Sequence, residues 1–539
     1  MCGDRTHPRS QVRPLGLVAW VLNMQTLLPQ GRKMDAQRPP VLLVVPRWTS
    51  PNSVSQGTIQ GTPFRSLRIA GALLAAGYPV HLFDQDLEER KGVSLGDGFP
   101  SDVHALVFWC NELEPLIQST QAFYLQEKFR RLYPQRPLIL GGPLIARLPT
   151  EGFWSLEGFD FFLQSQGILE LPLLLRAIEK QSGFDSVPGL IRSGKRTFEG
   201  PPPPKRFRVP SEVYDIYQML DFQGWIQKGG IFGNDRSTLI TSFTQGCAKG
   251  CSFCYWRDFP PAFLEPERAV FHLKRLRNDY GVCQFHLAEL DFASNRKRLL
   301  SFAQAFGREI PDGHWFSLVS VSDMAQLSPE EWDQLRAGGM AKLEFGTESG
   351  SSKSLTRMGK RHNRNQVIQV TQEATKRGIH CMHNFVFGIP GESKKDLDLS
   401  LELIHTLRTL DPNKITFTFR FFQPPFGTPL GEEALAKTKE PPRRVDRFLA
   451  SRVEFGQEHL RTMPWIPPAL EKRIKALVYH YLPLASSKIP IQNPKSRVLY
   501  FILRRFAHIR LHHRFFSFPF DRKLYEKNIN RPLDNTYTP

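Results

Sequence analysis

Between residues 238 and 420 six short apolar runs, TLITSF, CQFHLAEL, HWFSLVS, AKLEFG, CMHNFVFG and KITFTFR, alternate with stretches of helical periodicity. No other feature constrains the fold as strongly. Short apolar runs bounded by helices read as strands, and parallel strands require helical crossovers between them. The helical stretches fall near 266–279, 296–308, 328–337, 364–377 and 394–409. Six such units over 233–435 predict an open or partial parallel (β/α)6 barrel, whose working face lies at the strand C-termini. Every unusual loop falls on that face. The cysteine-rich GCAKGCSFCYW follows the first strand, GTESG the fourth, GIPGE the fifth and QPPFGTP the sixth.

A second alternating series precedes the barrel. VLLVVP, PVHLFD, VHALVFW, PLILGG and FDFFLQ read as strands, with helices at FRSLRIAGALLAAGY, stopped by Gly77, and over 112–133. The fold class is therefore α/β: a doubly wound, Rossmann-like parallel sheet over 37–182, then the partial barrel. In such sheets ligands lie beyond the carboxyl ends of strands, where glycine lets a backbone approach closely. Gly141 and Gly142 stand at one such end, and a plain strand-end turn is the alternative reading for them. Residues 183–232, with the stiff GPPPPKRF, read as a linker, and 436–539 as a mainly helical basic region. Residues 1–36 are expected to be a non-structural extension. Within them PLGLVAWVLNMQTLLP is too short and too interrupted to span a membrane, and a membrane-associating segment or an export signal are the alternatives.

Composition narrows the setting. Of seven cysteines four (Cys2, Cys110, Cys283, Cys381) are scattered, which suits a reducing compartment better than a disulfide framework. The formal charge of +19 is unevenly placed: residues 441–539 hold 19 Lys/Arg against 7 Asp/Glu, a net of +12. That separates the basic character from the cysteine chemistry.

Cys247, Cys251 and Cys254 form a C-x3-C-x2-C set on one tight loop. Three thiolates so spaced can each take a different iron of a cubane cluster and leave one iron open to a substrate or cofactor. Zinc would want a fourth ligand, and the candidates, His286 and His383, are isolated in sequence. Both metals stay open on spacing alone.

The motif Cys247, Cys251, Phe253, Cys254 after the first barrel strand resembles that of the radical S-adenosylmethionine (SAM) superfamily. Further motifs over 233–435 are similar to that family's in order. LAELDF (Glu289, Asp291) resembles the acidic segment that receives the SAM amino group. LEFGTESG (Gly346, Glu348, Ser349) resembles the fourth-strand segment near the ribose. FVFGIPGES (Gly388, Pro390, Gly391, Glu392) resembles the turn near the adenine. The resemblance implies a [4Fe-4S] cluster on Cys247, Cys251 and Cys254. Its fourth iron would bind SAM and cleave it to methionine and a 5′-deoxyadenosyl radical. It also implies a flavodoxin or ferredoxin as electron donor. Each residue has a plainer reading: a strand-end cap for Glu289 and Asp291, a helix N-terminal carboxylate for Glu348, and turn glycines for Gly388 and Gly391. Tyr255 and Trp256 read as core aromatics or as cover for the cluster, and Arg420 as an anion-binding group or an ion-pair partner.

The front domain resembles the cobalamin-binding domain of many such enzymes, including methyltransferases and the anaerobic magnesium-porphyrin cyclase, which would make Gly141 and Gly142 cobalamin contacts. It departs from that pattern in having no D-x-H-x-x-G stretch, so no histidine is assigned to cobalt. The implied activity is C–H activation leading to cobalamin-dependent methylation or rearrangement of a hydrophobic small molecule or lipid. A tRNA methylthio transferase is the alternative, weakened by the lack of a second three-cysteine set; a non-catalytic cobalamin or cluster sensor is another. The tail reads as a capping helix or as peripheral contact with the inner face of the membrane, with nucleic acid the least favoured partner. The expected location is the cytoplasm.

Overall fold

The computed structural model describes residues 38–47, 62–110, 115–142, 145, 158–194, 198–202, 209–218, 220–228, 236–259, 261–438, 463–486, 494–514, 516 and 520–528. The N-terminal extension and most of GPPPPKRF lie outside them.

The front sheet contains β1 (Val41–Val45), β2 (Val80–Asp84), β3 (Ala105–Trp109), β4 (Leu138–Gly141), β5 (Phe161–Leu163) and β6 (Leu190–Arg192), in the order β2-β1-β3-β4-β5-β6. All neighbours are parallel except β6, which runs antiparallel to β5. Alternation sorts the side chains. Val41, Leu43, Val107 and Ile139 meet helix α1 (Phe64–Ala75) and the helix Glu170–Lys180 in one core. Leu42, Val44, Phe108 and Leu140 meet Leu125 and Phe129 of the helix Pro115–Leu132 in the other. Both faces are thus covered, as an all-apolar parallel strand requires.

Residues 183–232 are structural where described. They supply β6, a 3-10 turn over Ser211–Gln218 and β7 (Gln227–Lys228). The 3-10 segment lies across α1 so closely that a Cβ on Gly71 would come 2.1 Å from the Val213 carbonyl.

The second sheet contains β7, β8 (Ser237–Thr241), β11 (Gln284–Leu287), β12 (His314–Val319), β13 (Met340–Glu348), β14 (His380–Phe387) and β15 (Ile415–Phe421). Its order is β15-β14-β13-β12-β11-β8-β7, parallel throughout except for β7. The six expected strands form a parallel half-barrel, with helices following each crossover. A small antiparallel pair, β9 (Thr244–Gln245) and β10 (Ala262–Phe263), brackets the cysteine loop.

The two units interlock. Phe64, in the first turn of α1, packs on Ile240 and Ala288 at the carboxyl end of the barrel. Phe426, Leu435 and Tyr255 join the front sheet's second core in return. Helix α2 (Lys394–Leu410) leads into β15, and the chain then continues as helices over 468–486 that pack Ile474, Leu477, Val478 and Tyr481 against the barrel core. Helix α3 (Pro494–His513) lies outside them.

Candidate active site at the carboxyl end of the barrel

The cysteine loop is built from its anchors upward. Gly246 enters it at φ 73°, and the Cys247 amide donates to the Phe259 carbonyl at 2.8 Å, closing the loop. Two amides turn inward to sulfur: Lys249 N–H to Cys247 Sγ at 3.5 Å and Trp256 N–H to Cys254 Sγ at 3.4 Å. Such bonds favour an electron-rich thiolate. Without a metal, burial pushes Cys247 up to about 12 and Cys254 up to about 11. Metal coordination overcomes that cost because only the thiolate ligates. The donor set and its amide bonds fit an iron–sulfur cluster. Among the described residues no three Cys, His, Asp or Glu side chains gather around one point, as a single ion would require. His383 is bonded at both ring nitrogens, to Thr347 at 2.8 Å and Thr371 at 3.2 Å, while His286 is stacked on Phe316 at 4.2 Å.

The acidic segment after β11 is bonded to this loop and to the strand that enters it. Glu289 accepts from the Phe243 amide at 2.7 Å, from Ser242 Oγ at 3.1 Å and from Thr244 Oγ1. Its carboxylate thereby ties the acidic segment to the strand entering the cysteine loop. Asp291 lies 3.4 Å from Lys249 Nζ and accepts from the Ser320 amide at 3.3 Å. Burial pushes its carboxyl up to about 6. Lys249 also donates to both oxygens of Asp323 at 2.6 Å. A lysine inside the C-x3-C spacing was the available signal for this clamp, and only the fold brings Asp323 to it.

The GTESG segment is similarly tied down. Glu348 sits at φ 60° and accepts from Lys360 Nζ at 2.9 Å. Burial alone would lower Lys360, but Glu348 and the neighbouring Cys251 and Cys254 thiols raise it. Lys360 also reaches the Gly346 carbonyl at 3.3 Å. Ser349 Oγ pairs with Ser400 Oγ of α2 at 2.9 Å and accepts from the Ser351 amide at 3.1 Å, so its hydroxyl is turned toward α2. The turn that follows docks on the cysteine loop: Ser252 N–H donates to the Met358 carbonyl at 3.0 Å, and a Cβ on Gly359 would come 3.6 Å from Cys251 Cα.

In the GIPGE turn, Gly388 and Gly391 adopt φ 83° and 76°, a region that favours glycine. Arg357 Nε holds the Pro390 carbonyl at 2.9 Å, and Trp465 Nε1 holds that of Gly388 at 2.6 Å. Glu392 accepts from the Gly388 amide at 2.5 Å, and burial pushes its carboxyl up to about 8.

Inside the half-barrel a polar rung crosses three neighbouring strands. Asn384 Nδ2 donates to Glu344 at 2.6 Å, and Thr418 Oγ1 donates to Asn384 Oδ1. Burial raises the Glu344 carboxyl, while Asn384 and Arg420 oppose the rise. This rung was missed from sequence because one polar residue per strand looks like ordinary alternation. Arg65 of α1 closes the opposite rim, donating to the Ala288 carbonyl at 3.2 Å and lying 4.8 Å over Trp256. Tyr255 instead joins the front-domain core.

At the front sheet the two glycines serve the protein's own packing. A Cβ on Gly141 would lie 2.2 Å from the Trp109 indole, and one on Gly142 2.2 Å from the Cys110 carbonyl. Gly167 meets the same indole at 2.2 Å. These close approaches require glycine at both positions.

The geometry, three cysteines on a loop at the mouth of a parallel half-barrel, agrees with comparison to known proteins. Residues 241–404 match the family model described as the radical SAM superfamily. The chain carries a radical SAM domain. An uncharacterized methyltransferase of Pyrococcus horikoshii is 24% identical over 308 residues, 56% of this chain and 63% of that protein. An anaerobic magnesium-protoporphyrin IX monomethyl ester cyclase of Cereibacter sphaeroides is 27% identical over 168 residues, 30% of this chain and 26% of that protein. The chain thus spans less than two thirds of either relative. Among solved structures, the cobalamin-dependent SAM radical enzyme OxsB superposes with TM-score 0.60 at 13% identity, over 93% of this chain and 77% of that one. The radical SAM methyltransferase TsrM of Kitasatospora setae superposes with TM-score 0.54 at 18% identity, over 74% and 75%. At these identities the likeness is one of fold: front sheet and radical SAM half-barrel in one chain.

Proposed function

We propose that this chain is a radical SAM enzyme that activates a C–H bond of a small molecule. The observation that carries the reading is the cysteine loop itself, with amide hydrogens aimed at two of its sulfurs and its backbone docked on the GTESG segment's following turn. Cys247, Cys251 and Cys254 would hold the cluster, which when loaded supplies the electron that cleaves SAM to methionine and a 5′-deoxyadenosyl radical. The chain's residues do the rest. Glu289 fixes the strand leading into the loop, and the Lys249–Asp323 pair fixes its first turn. Gly388 and Gly391 let backbone approach a nucleoside closely. The Glu344–Asn384–Thr418 rung offers hydrogen-bonding groups to a polar ligand in the barrel, and Arg420 adds positive charge at its rim. Phe64 and Arg65 cover the mouth, which limits water where a reactive radical is formed.

Methyl transfer is the favoured outcome, because the Pyrococcus horikoshii relative and TsrM are both named as methyltransferases. Cobalamin dependence is part of that reading by analogy of fold alone. A hydrophobic, lipid-like substrate and a flavodoxin or ferredoxin donor complete the proposal. Anaerobic reconstitution, reduction and assay for 5′-deoxyadenosine test it. Wild type should release 5′-deoxyadenosine, and Cys254→Ala should lose both cluster absorbance and release. A fully loaded cluster that leaves SAM intact would sink the catalytic reading.

A further inference from the structure

Helix α3 is apolar on two sides. Its inner side is spent on the fold: Tyr500, Leu503 and Ala507 are buried in the main core, and His508 meets Arg408 of α2 at 3.0 Å. Buried Arg510 pairs with Asp521 of the next helix at 2.8 Å, and Arg514 pairs with Glu402. The helix is thus held rigidly against the barrel. Its outer side nevertheless carries Val498, Phe501, Ile502, Phe506 and Ile509, which are 62%, 58%, 45%, 38% and 54% exposed. Their spacing of three, four and seven residues places them on one stripe. Phe520 of the following helix extends it, 5.7 Å from Phe506. A helix apolar all round is normally covered all round.

Charge indicates what covers it. The sequence PKSRVLYFILRRFAHIRLHH contains no acidic residue. Arg497, Arg505 and His513 are exposed, and Arg505 lies 5.3 Å over the Phe501 ring of the stripe. We propose that this outer face of α3 docks on a membrane surface bearing anionic lipid, with the apolar stripe at the headgroup boundary and the arginines on lipid phosphates. Contact is peripheral, since no described helix is long and apolar enough to cross a membrane. Two rival occupants are disfavoured. A second copy would bring one basic face against another, in a chain of net charge +19. Single-stranded nucleic acid would use successive aromatic platforms, whereas here Phe501, Phe506 and Phe520 are interleaved with Val498, Ile502 and Ile509, which offer no ring for a base to stack on. The inference stands apart from the catalytic proposal, because its readout needs no turnover.

The test is co-sedimentation of the full chain with vesicles of phosphatidylcholine alone and of phosphatidylcholine with about one-third phosphatidylglycerol. Binding should require the anionic lipid and weaken with salt. Phe501→Ser with Ile509→Ser should weaken it at least about tenfold, as should Arg497→Glu with Arg505→Glu, with thermal unfolding unchanged because these side chains face solvent. Overturning results are wild type that ignores anionic vesicles, and double variants that bind as well as wild type. A deletion of residues 1–33 that alone abolishes binding would also overturn it, by assigning the contact to the N-terminal apolar segment. So would a concentration-dependent dimer, or RNA binding, that the apolar variant dissolves in the absence of vesicle binding.

Discussion

At the carboxyl end of the front sheet, Gly141 and Gly167 press on a fully buried indole, and Gly142 on a backbone carbonyl. At the carboxyl end of the barrel, a Cβ on Gly388 would meet the Met463 sulfur at 2.8 Å, and one on Gly391 the Arg357 guanidinium at 3.2 Å. Both ends are glycine-rich, yet one is filled by rigid apolar packing and the other is lined by the ends of long side chains. The barrel end is also where carboxylates and lysines hold backbone: Glu289 on Phe243, Glu392 on Gly388 and Lys360 on Gly346. A missing Cβ makes room in either place. What occupies the room separates a structural glycine from one beside a site.

The sharpest way to break this contrast is to remove the carboxylate that ties the barrel to its loop. Glu289→Ala leaves the Phe243 amide and the Thr244 hydroxyl without this acceptor, while Ser242 keeps the Thr244 carbonyl at 3.1 Å. Each orphaned buried group costs about 1–3 kcal/mol, so the loop should lose most of its order. Cluster content after reconstitution should fall severalfold, and Glu289→Gln, which keeps one carbonyl oxygen, should recover part of it. Had Glu289 only contacted SAM, cluster content would be unchanged and only SAM affinity would fall.

The opposite substitution probes the front sheet. Gly141→Ala drives a methyl into the Trp109 ring, and overpacking of this kind costs about 1–3 kcal/mol. Unfolding should shift to lower temperature while reductive SAM cleavage per loaded cluster stays at the wild-type level. Loss of cleavage without loss of stability would mean that Gly141 acts on the chemistry directly. Trp109→Phe in the Gly141→Ala background should recover part of the stability, because the smaller ring makes space.

A subtler effect is expected at Lys249, the basic residue within the cysteine spacing. Its clamp to Asp323 and Asp291 is partly buried. Lys249→Met should cost about 1–2 kcal/mol of local stability, because Asp291 keeps a buried carboxyl with its charged partner gone. The expected signature is an altered cluster spectrum or potential at near-normal iron content. Asp323→Asn should reproduce it more weakly. An unchanged spectrum in both variants would reduce the clamp to a surface ion pair.

These clamps also explain what could be read in advance. The strands of both sheets and their crossovers were legible because apolar period and glycine breaks coincide, from Gly77 after α1 to the turns after β14. The three cysteines were legible because their ligand spacing is local. Asp323, Lys360, Arg357 and the Asn384 rung were not, since their partners lie 74, 12, 33 and 40 residues away in sequence. The same limit hid the protein partners of Glu289 and Ser349: a motif shows which polar residues cluster at a strand end, and only packing decides what each one bonds to. Trp109 was hidden for a related reason, because nothing in PLILGG indicates that an indole from β3 fills the space over it.

The smallest expected effect compares two buried carboxyls, one in each region. Burial pushes Asp84 of the front domain up to about 7 and Glu392 of the barrel up to about 8. A carboxyl whose folded value is raised contributes stability in its protonated form. That contribution is complete below the unfolded value and is lost as pH climbs through the folded one. For Glu392 the window runs from its ordinary 4.5 to about 8, with a slope of at most about 1.4 kcal/mol per pH unit. Glu392→Gln keeps an acceptor for the Gly388 amide and cannot ionise, so unfolding temperature should become flatter between about pH 5 and pH 8. Asp84 differs in its partners: it accepts from Trp225 Nε1 at 2.8 Å and from the Asp86 and Leu87 amides at 3.2 and 3.4 Å. These donors stabilise the ionised form and offset part of the burial cost, so its window closes lower, at about 7, and Asp84→Asn should flatten the profile only up to about pH 7. Equal pH profiles for the two variants would show that burial alone governs both carboxyls, and that donor count does not distinguish the front sheet from the barrel.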